Sequence, residues 1–300
     1  MKVLVSACVF GEPVRWNSTS RKDESLKVWA DKVGLELVPV CPENELFGTP
    51  RKPIRLEQIK GTEIISGNED DFYKTINLNI DDPSNPKEVG MFELGKEGQS
   101  IHDVWIEDGI AYSSNWRDGV YLVDVGNGIV GGSPSNPIAF GNYSYASGAH
   151  HATFPFKSKS TGKFYTVLGD EIFPNGVNPN GTNETAGFIH FVDFSDLNNP
   201  KEVARYELPG HGSHNYWIED DILYVAMYTG GLRIVDISGD LIGDLYKQGR
   251  EIGYLLTGSE DGYIPNDTMV WGAQLYKGHV FYSDFNTGLG AAKVSGGKPD

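Results

Sequence analysis

From about residue 100 onward the chain is a series of short apolar runs cut by tight polar turns. The clearest unit is Gly212–Asp240, GSHNYWIEDDILYVAMYTGGLRIVDISGD. It predicts strands at Tyr216–Glu219, Ile222–Met227 and Leu232–Ile237, because Ile222, Tyr224, Val225, Ile234 and Val235 suit pleated, half-buried chain. Asp220-Asp221 turns the first pair, Thr229-Gly230-Gly231 turns the second, and a fourth strand is expected at Glu251–Leu256.

The pattern repeats. In Ser100–Val125, His102 aligns with His214, Trp105 with Trp217, Tyr112 with Tyr224 and Asp124 with Asp236. A third copy starts at Gly148, runs through Lys163–Leu168 and resumes at Gly187–Phe194 after a longer insertion; a fourth is Val270–Val294. Units of four short strands, recurring every ~45–60 residues, predict a propeller or array, since no single unit can bury its own faces.

The first sixty residues follow another rule. Val3–Ser6 reads as a strand, Lys22–Val33 as a helix with Leu26, Trp29, Ala30 and Val33 on one face, and Leu35–Val40 as a second strand. This is a βαβ unit. Parallel pairing would put Cys8 and Cys41 just past the C-terminal strand ends, where open α/β sheets place their chemistry. Val5-Ser6-Ala7-Cys8 also matches a lipoprotein cleavage box, but the apolar run before it is too short for a signal peptide.

Composition narrows the function. The net charge is −16, with 41 acidic and 25 basic residues. That argues against nucleic acid as a partner and favours attraction of cations. No apolar run is long enough to span a bilayer. Two cysteines do not make a disulfide framework. Five Asn-x-Ser/Thr sites (Asn17, Asn142, Asn180, Asn183, Asn266) carry little meaning without a secretory signal.

Two resemblances follow from these motifs. MKVLVSACVFGEPVRW, VPVCPE and GTPR, with Cys8, Arg15, Cys41, Pro42, Glu43, Thr49, Pro50 and Arg51, resemble the start of a bacterial domain family that includes thiouracil desulfurases. That covers about residues 1–65, roughly the first half of the family's domain, and Trp16-Asn17-Ser18 departs from the family's Tyr-Asp-Gly. The resemblance implies an iron–sulfur cluster held by three cysteines. This chain has only two, so Cys8 and Cys41 read as a ligand remnant and no cluster is expected. LRIVDIS, YLVDV and FVDFSD, with SHNYW, GREIG and VWG, resemble the LVIVD-repeat family of bacterial β-propellers over about residues 74–294. The expected architecture is therefore mainly β: a propeller of about four blades, closed or left as an open arc, with a small N-terminal α/β fragment. The expected divisions are residues 1–65, a linker at 66–73 and a propeller at 74–300. Tyr73–Ile80 and Val89–Leu94 would complete the fourth blade. The same pattern would arise from a natural gene fusion, an assembly artefact or a composed sequence. The chain as written carries no export signal and reads as cytoplasmic, whereas the propeller resemblance implies the envelope or secretion.

Innermost strands line a propeller's channel, so equivalent positions form a ring. His102, His150 and His214 take one such position, with His151 and Glu171 close by as further ligands and Trp271 where the fourth histidine would be. Three imidazoles there could hold Zn²⁺, Fe²⁺ or Mn²⁺ and support metal-assisted hydrolysis or oxygen chemistry. They could equally be structural, each donating a hydrogen bond to a neighbouring blade. Asp124, Asp193 and Asp236 are expected to cap turns, Trp105 and Trp217 to pack between blades, and the Asn/Gly/Pro-rich insertion Asp170–Ala186 to act as a lid or recognition loop. The leading function is a binding or scaffold propeller that presents a channel mouth to a protein or small-molecule ligand. The alternatives are a metal-dependent enzyme and a sulfur-handling module at Cys8 and Cys41.

Overall fold

The computed structural model describes residues 2–15, 18–20, 22–41, 55–59, 62–66, 74–79, 87–94 and 101–294. The resemblance residues Trp16, Asn17, Pro42, Glu43, Thr49, Pro50 and Arg51, and residues 67–73 of the expected linker, lie outside them. The chain forms two compact units, Met1–Ser100 and Ile101–Asp300.

In the first unit, β1 (Lys2–Ser6) leads into a single turn of helix, α1 (Ala7–Phe10); α2 (Glu24–Val33) and β2 (Glu36–Val40) follow. Asp23 caps α2 by accepting from the Ser25 backbone at 2.8 Å, and Gly34 ends it in the left-handed region at φ 70°. β1 and β2 pair in parallel, Lys2 with Glu36 through Ser6 with Val40, so Cys8 and Cys41 both follow the ends of paired strands. Two hairpins complete the unit: β3 (Arg55–Ile59) with β4 (Thr62–Ser66), and β5 (Lys74–Asn79) with β6 (Lys87–Glu93). β5 and β6 are the strands expected at Tyr73–Ile80 and Val89–Leu94, and they pair with each other as a two-stranded sheet within this unit.

The second unit is a four-blade β-propeller-like arrangement of antiparallel sheets. The first holds β7 (Asp103–Glu107), β8 (Ile110–Ser114), β9 (Val120–Asp124) and β10 (Ile138–Tyr143). The second holds β11 (His150–Lys157), β12 (Phe164–Asp170), β13 (Ile189–Asp193) and β14 (Lys201–Tyr206). The third holds β15 (Tyr216–Glu219), β16 (Ile222–Ala226), β17 (Leu232–Asp236) and, beyond the two-residue β18 (Gly243–Asp244), β19 (Glu251–Leu255). β18 leaves this sheet to pair in parallel with β14, tying the second and third sheets together. The fourth holds β20 (Val270–Tyr276), β21 (His279–Asp284) and β22 (Gly288–Lys293), three strands among the described residues.

The hairpins turn as their residues require. Asp108-Gly109, Asp220-Asp221 and Lys277-Gly278 all have positive φ at both positions, the primed turn whose twist matches the strands. Third strands end on carboxylates that accept turn N–H groups: Asp193 from Ser195 at 2.8 Å, Asp236 from Ser238 at 2.9 Å. Asp124 accepts four, from Gly126, Gly128, Val130 and Gly132. Burial alone would raise its pKa, but these donors hold it well below the usual carboxylate range.

Three apolar cores lie between successive sheets. Tyr112, Leu122, Leu168 and Val192 join the first and second; Phe191, Tyr206, Leu223 and Val235 the second and third; Tyr224, Leu232, Val270 and Val280 the third and fourth. Each fully buried aliphatic chain contributes roughly 1.5–3 kcal/mol. This packing holds β7, β11, β15 and β20 around a common channel, whose wall includes Trp105, Phe154, Trp217 and Gln274, one from each strand.

Candidate functional site

The first strands of the four sheets begin at one mouth of this channel. His102 precedes β7, His151 is the second residue of β11, His214 precedes β15 and Trp271 is the second residue of β20. The His102 and His151 rings are 4.4 Å apart, those of His151 and His214 4.0 Å, and those of His214 and Trp271 5.8 Å. The ring of side chains expected from the repeats therefore exists, with one change of member.

That change is at the histidine pair. His150 was the expected ring residue. The β11–β12 register slips between His150 and Ala152, so His151 is an extra residue bulged out of the ladder, and it takes the channel position. The same slip occurs between Val270 and Gly272, which places Trp271 equivalently. His150 is fully buried and spends both nitrogens elsewhere. Its Nδ1 donates to the Trp116 carbonyl of the first sheet, and its Nε2 accepts from the Tyr145 backbone at 3.2 Å. It plays the structural, inter-blade role. Burial keeps it neutral by lowering its pKa.

Glu171 joins the ring from the end of β12. Its carboxylate lies 3.4 Å from His151 Nε2 and 3.7 Å from His214 Nε2, and it accepts a hydrogen bond from the Tyr228 hydroxyl. His102, His151 and Glu171 each offer one ligand atom, and the three lie within 4.8 Å of one another. His214 donates from Nδ1 to the Trp271 carbonyl, which leaves its Nε2 lone pair facing Glu171. His151 Nδ1 is buried and without a partner, the kind of polar orphan in a cluster that a water or ion satisfies.

Desolvation sets the charge of this cluster. Burial, reinforced by His214 and His102, lowers the His151 pKa to about 2. Burial lowers His214 to about 4, against its bond to the Trp271 carbonyl, with His102 adding to the depression. His102 opens onto the mouth but is crowded enough for desolvation to lower its pKa, against the nearby Asp103. Burial raises Glu171 despite the Tyr228 bond. At neutral pH all three imidazoles are uncharged, with lone pairs available to an electrophile.

Further in, three residues after each histidine, aromatic side chains narrow the channel. Trp105, Phe154 and Trp217 pack with ring centres 4.1 to 5.9 Å apart. Above the histidines a cavity of about 630 Å³ opens. One wall is the insertion loop, through Phe173, Val177 and Pro179; the other is the loop between β19 and β20, through Tyr263 and Ile264. The insertion loop is tied by the Asn183 side chain, which accepts from the Asn178 backbone N–H at 2.6 Å and donates to the Asn178 carbonyl at 3.2 Å. Asn286 fastens the second loop, donating to the carbonyls of Ile264 at 2.7 Å and Asp267 at 2.8 Å. Tyr228, Tyr263 and Phe285 were not anticipated. Tyr228 and Phe285 share one signal, the position after the second strand, where Trp116 is also aromatic and Glu171 is the exception; Tyr263 lies in the loop between β19 and β20 and has none.

In the first unit, Cys8 and Cys41 are free and half-buried, and Cys8 Sγ lies 3.3 Å from Ser6 Oγ. Among the described residues no helix is long and apolar enough to cross a membrane.

Comparison with known proteins gives one family-profile match at the N-terminus and matches to solved structures at low similarity. A family profile described as 2-thiouracil desulfurase matches residues 3–82. No curated protein matches the chain. Among solved structures, the computationally designed Ika4 protein is 13% identical, covering 68% of this chain and 96% of that one, with a TM-score of 0.41. The computationally designed Ika8 protein is 13% identical over 69% of this chain and 49% of its own, with a TM-score of 0.39. The N-terminal region is thus similar to 2-thiouracil desulfurases. The propeller-like arrangement of the C-terminal unit, read from its own sheets, is compatible with a binding or scaffold role.

Proposed function

We propose that this protein is a metal-binding propeller of the LVIVD-repeat type, with a divalent transition metal held at the channel mouth by His102, His151 and Glu171 and His214 as a fourth donor. The observation that carries this reading is the convergence of the three ligand atoms within 4.8 Å, all on neutral imidazoles or a partly buried carboxylate. Bonds of ~2.1 Å need donor atoms about 3–3.5 Å apart, which small side-chain rotations supply. Nitrogen with one carboxylate suits Zn²⁺, Fe²⁺ or Mn²⁺. The acidic surface, at net charge −16, favours cation approach. A metal so held would act as a Lewis acid or activate a small ligand. The residues around it would orient that ligand in the cavity.

Titration with Co²⁺ tests this. The wild type is expected to develop visible d–d absorption that saturates at about one equivalent. His151→Ala is expected to develop none. Absence of bands in the wild type, or equal bands in the variant, would sink the proposal.

A further inference from the structure

The mouth is polar on three sides and aromatic on the fourth. Trp271 stands where the fourth histidine would be and packs on Phe285, ring centres 4.0 Å apart. Phe285 is 58% exposed and Tyr263 71% exposed, yet both line the same concave space. Exposed large apolar side chains scattered over a surface mean little. Gathered in a cavity around a few convergent polar groups, they mark a ligand site. The cavity volume of about 630 Å³ is that of a small-molecule pocket. The packed rings of Trp105, Phe154 and Trp217 narrow the channel beneath the histidines and give the pocket an aromatic floor. Both loop walls are held by their own hydrogen bonds, so the pocket is formed in advance.

We infer that this cavity takes a planar, apolar small molecule, aromatic or conjugated, whose one oxygen- or nitrogen-bearing end is directed at the His102, His151 and Glu171 cluster. The flat body lies against Trp271 and Phe285, with Tyr263 and Phe173 at its edges. The donor end faces the histidines because His102, His151 and Glu171 converge there, whereas the side chains of Asn178, Asn183 and Asn286 are engaged in holding the loops. The direction of the donor end rests on the metal reading above; the aromatic cradle does not.

The test uses two probes, 2,3-dihydroxynaphthalene and naphthalene, titrated calorimetrically into the full chain, metal-loaded and metal-stripped. Wild type and Phe285→Ala are compared, with Tyr263→Ala as a second variant; both side chains are exposed, so neither change threatens the fold. Metal content is measured on every sample. Loaded wild type should bind 2,3-dihydroxynaphthalene more tightly than naphthalene. Each variant should keep its metal and bind both probes about tenfold more weakly, the effect of one lost ring contact. If wild type binds neither probe, or both variants bind as wild type does, the inference is overturned. If naphthalene binding depends on Phe285 but 2,3-dihydroxynaphthalene gains nothing from metal, the cradle stands and the assigned direction of the donor end falls. If the protein takes up no metal yet naphthalene binding still depends on Phe285, the metal reading fails and the cradle survives it.

Discussion

The first three sheets and the fourth present the same backbone positions to the same channel mouth, but with opposite chemistry. His102, His151 and His214 stand at equivalent points of the first three, and Trp271 at that of the fourth. After the second strand the second sheet gives a carboxylate, Glu171, and the fourth gives Phe285. A purely structural repeat would keep one residue type at each position. Here the fold is copied while the side chains divide into a polar arc and an apolar arc. Three residues deeper the pattern is apolar in the first three sheets, at Trp105, Phe154 and Trp217, and polar in the fourth, at Gln274. The asymmetry sits where a ligand would be, and the backbone does not require it.

Substitutions can break that comparison. The largest effect is expected from His151→Ala, which removes the central ring of the polar arc. Metal affinity should fall more than ~100-fold by competition with a chromophoric chelator, since losing a ligand exceeds the 10–100-fold cost of losing a supporting hydrogen bond. Tyr228→Phe removes the hydroxyl that donates to Glu171. Affinity should drop about 10-fold with the fold unchanged, because Tyr228 orients a ligand without being one.

His190 tests the packing behind the arc. It is buried between Asp170 at 3.1 Å and Glu202 at 2.6 Å. Burial alone would lower its pKa, but the two carboxylates raise it above its ordinary value. A raised histidine stabilises the fold fully below its unfolded pKa of about 6.5 and loses that contribution as pH rises through the folded value. In urea denaturation, His190→Gln should therefore cost most near pH 6, roughly 3 kcal/mol for a broken buried pair, and less at pH 9. A cost that does not change with pH would contradict the charged assignment.

His150→Gln should have the smallest effect at the site. Metal affinity should stay within about twofold, while stability falls ~1–3 kcal/mol because the Trp116 carbonyl and Tyr145 N–H lose a matched partner.

The propeller was legible because its signals are local and repeated. The first strand of the third sheet falls at Tyr216–Glu219 in both the alternation and the structure, and the next two differ from expectation by one residue at their ends. Turn residues and β-branched runs act within a few positions, so sequence carries them. The His150–His151 choice was harder. A bulge adds one residue without changing composition, and the two adjacent histidines in GAHHATFPF are not told apart by residue type. Spacing held the answer: His102 to Trp105 and His214 to Trp217 are three apart, and so are His151 and Phe154. The Tyr228–Glu171 bond joins residues 57 positions apart on different sheets, and no local pattern predicts it. Asp-x-x-Asn-Pro-Lys-Glu-Val reports a turn between two strands and not which sheet they join; β5 and β6 pair with each other in a two-stranded sheet of the first unit.

The most direct test of the central claim is metal content by elemental mass spectrometry. Wild type, His150→Gln and His151→Ala would be incubated with Zn²⁺, Fe²⁺ or Mn²⁺ and desalted. The account predicts about one metal per chain in wild type and in His150→Gln, and none in His151→Ala. No metal in wild type with any of the three ions, or equal metal in His151→Ala, would contradict it.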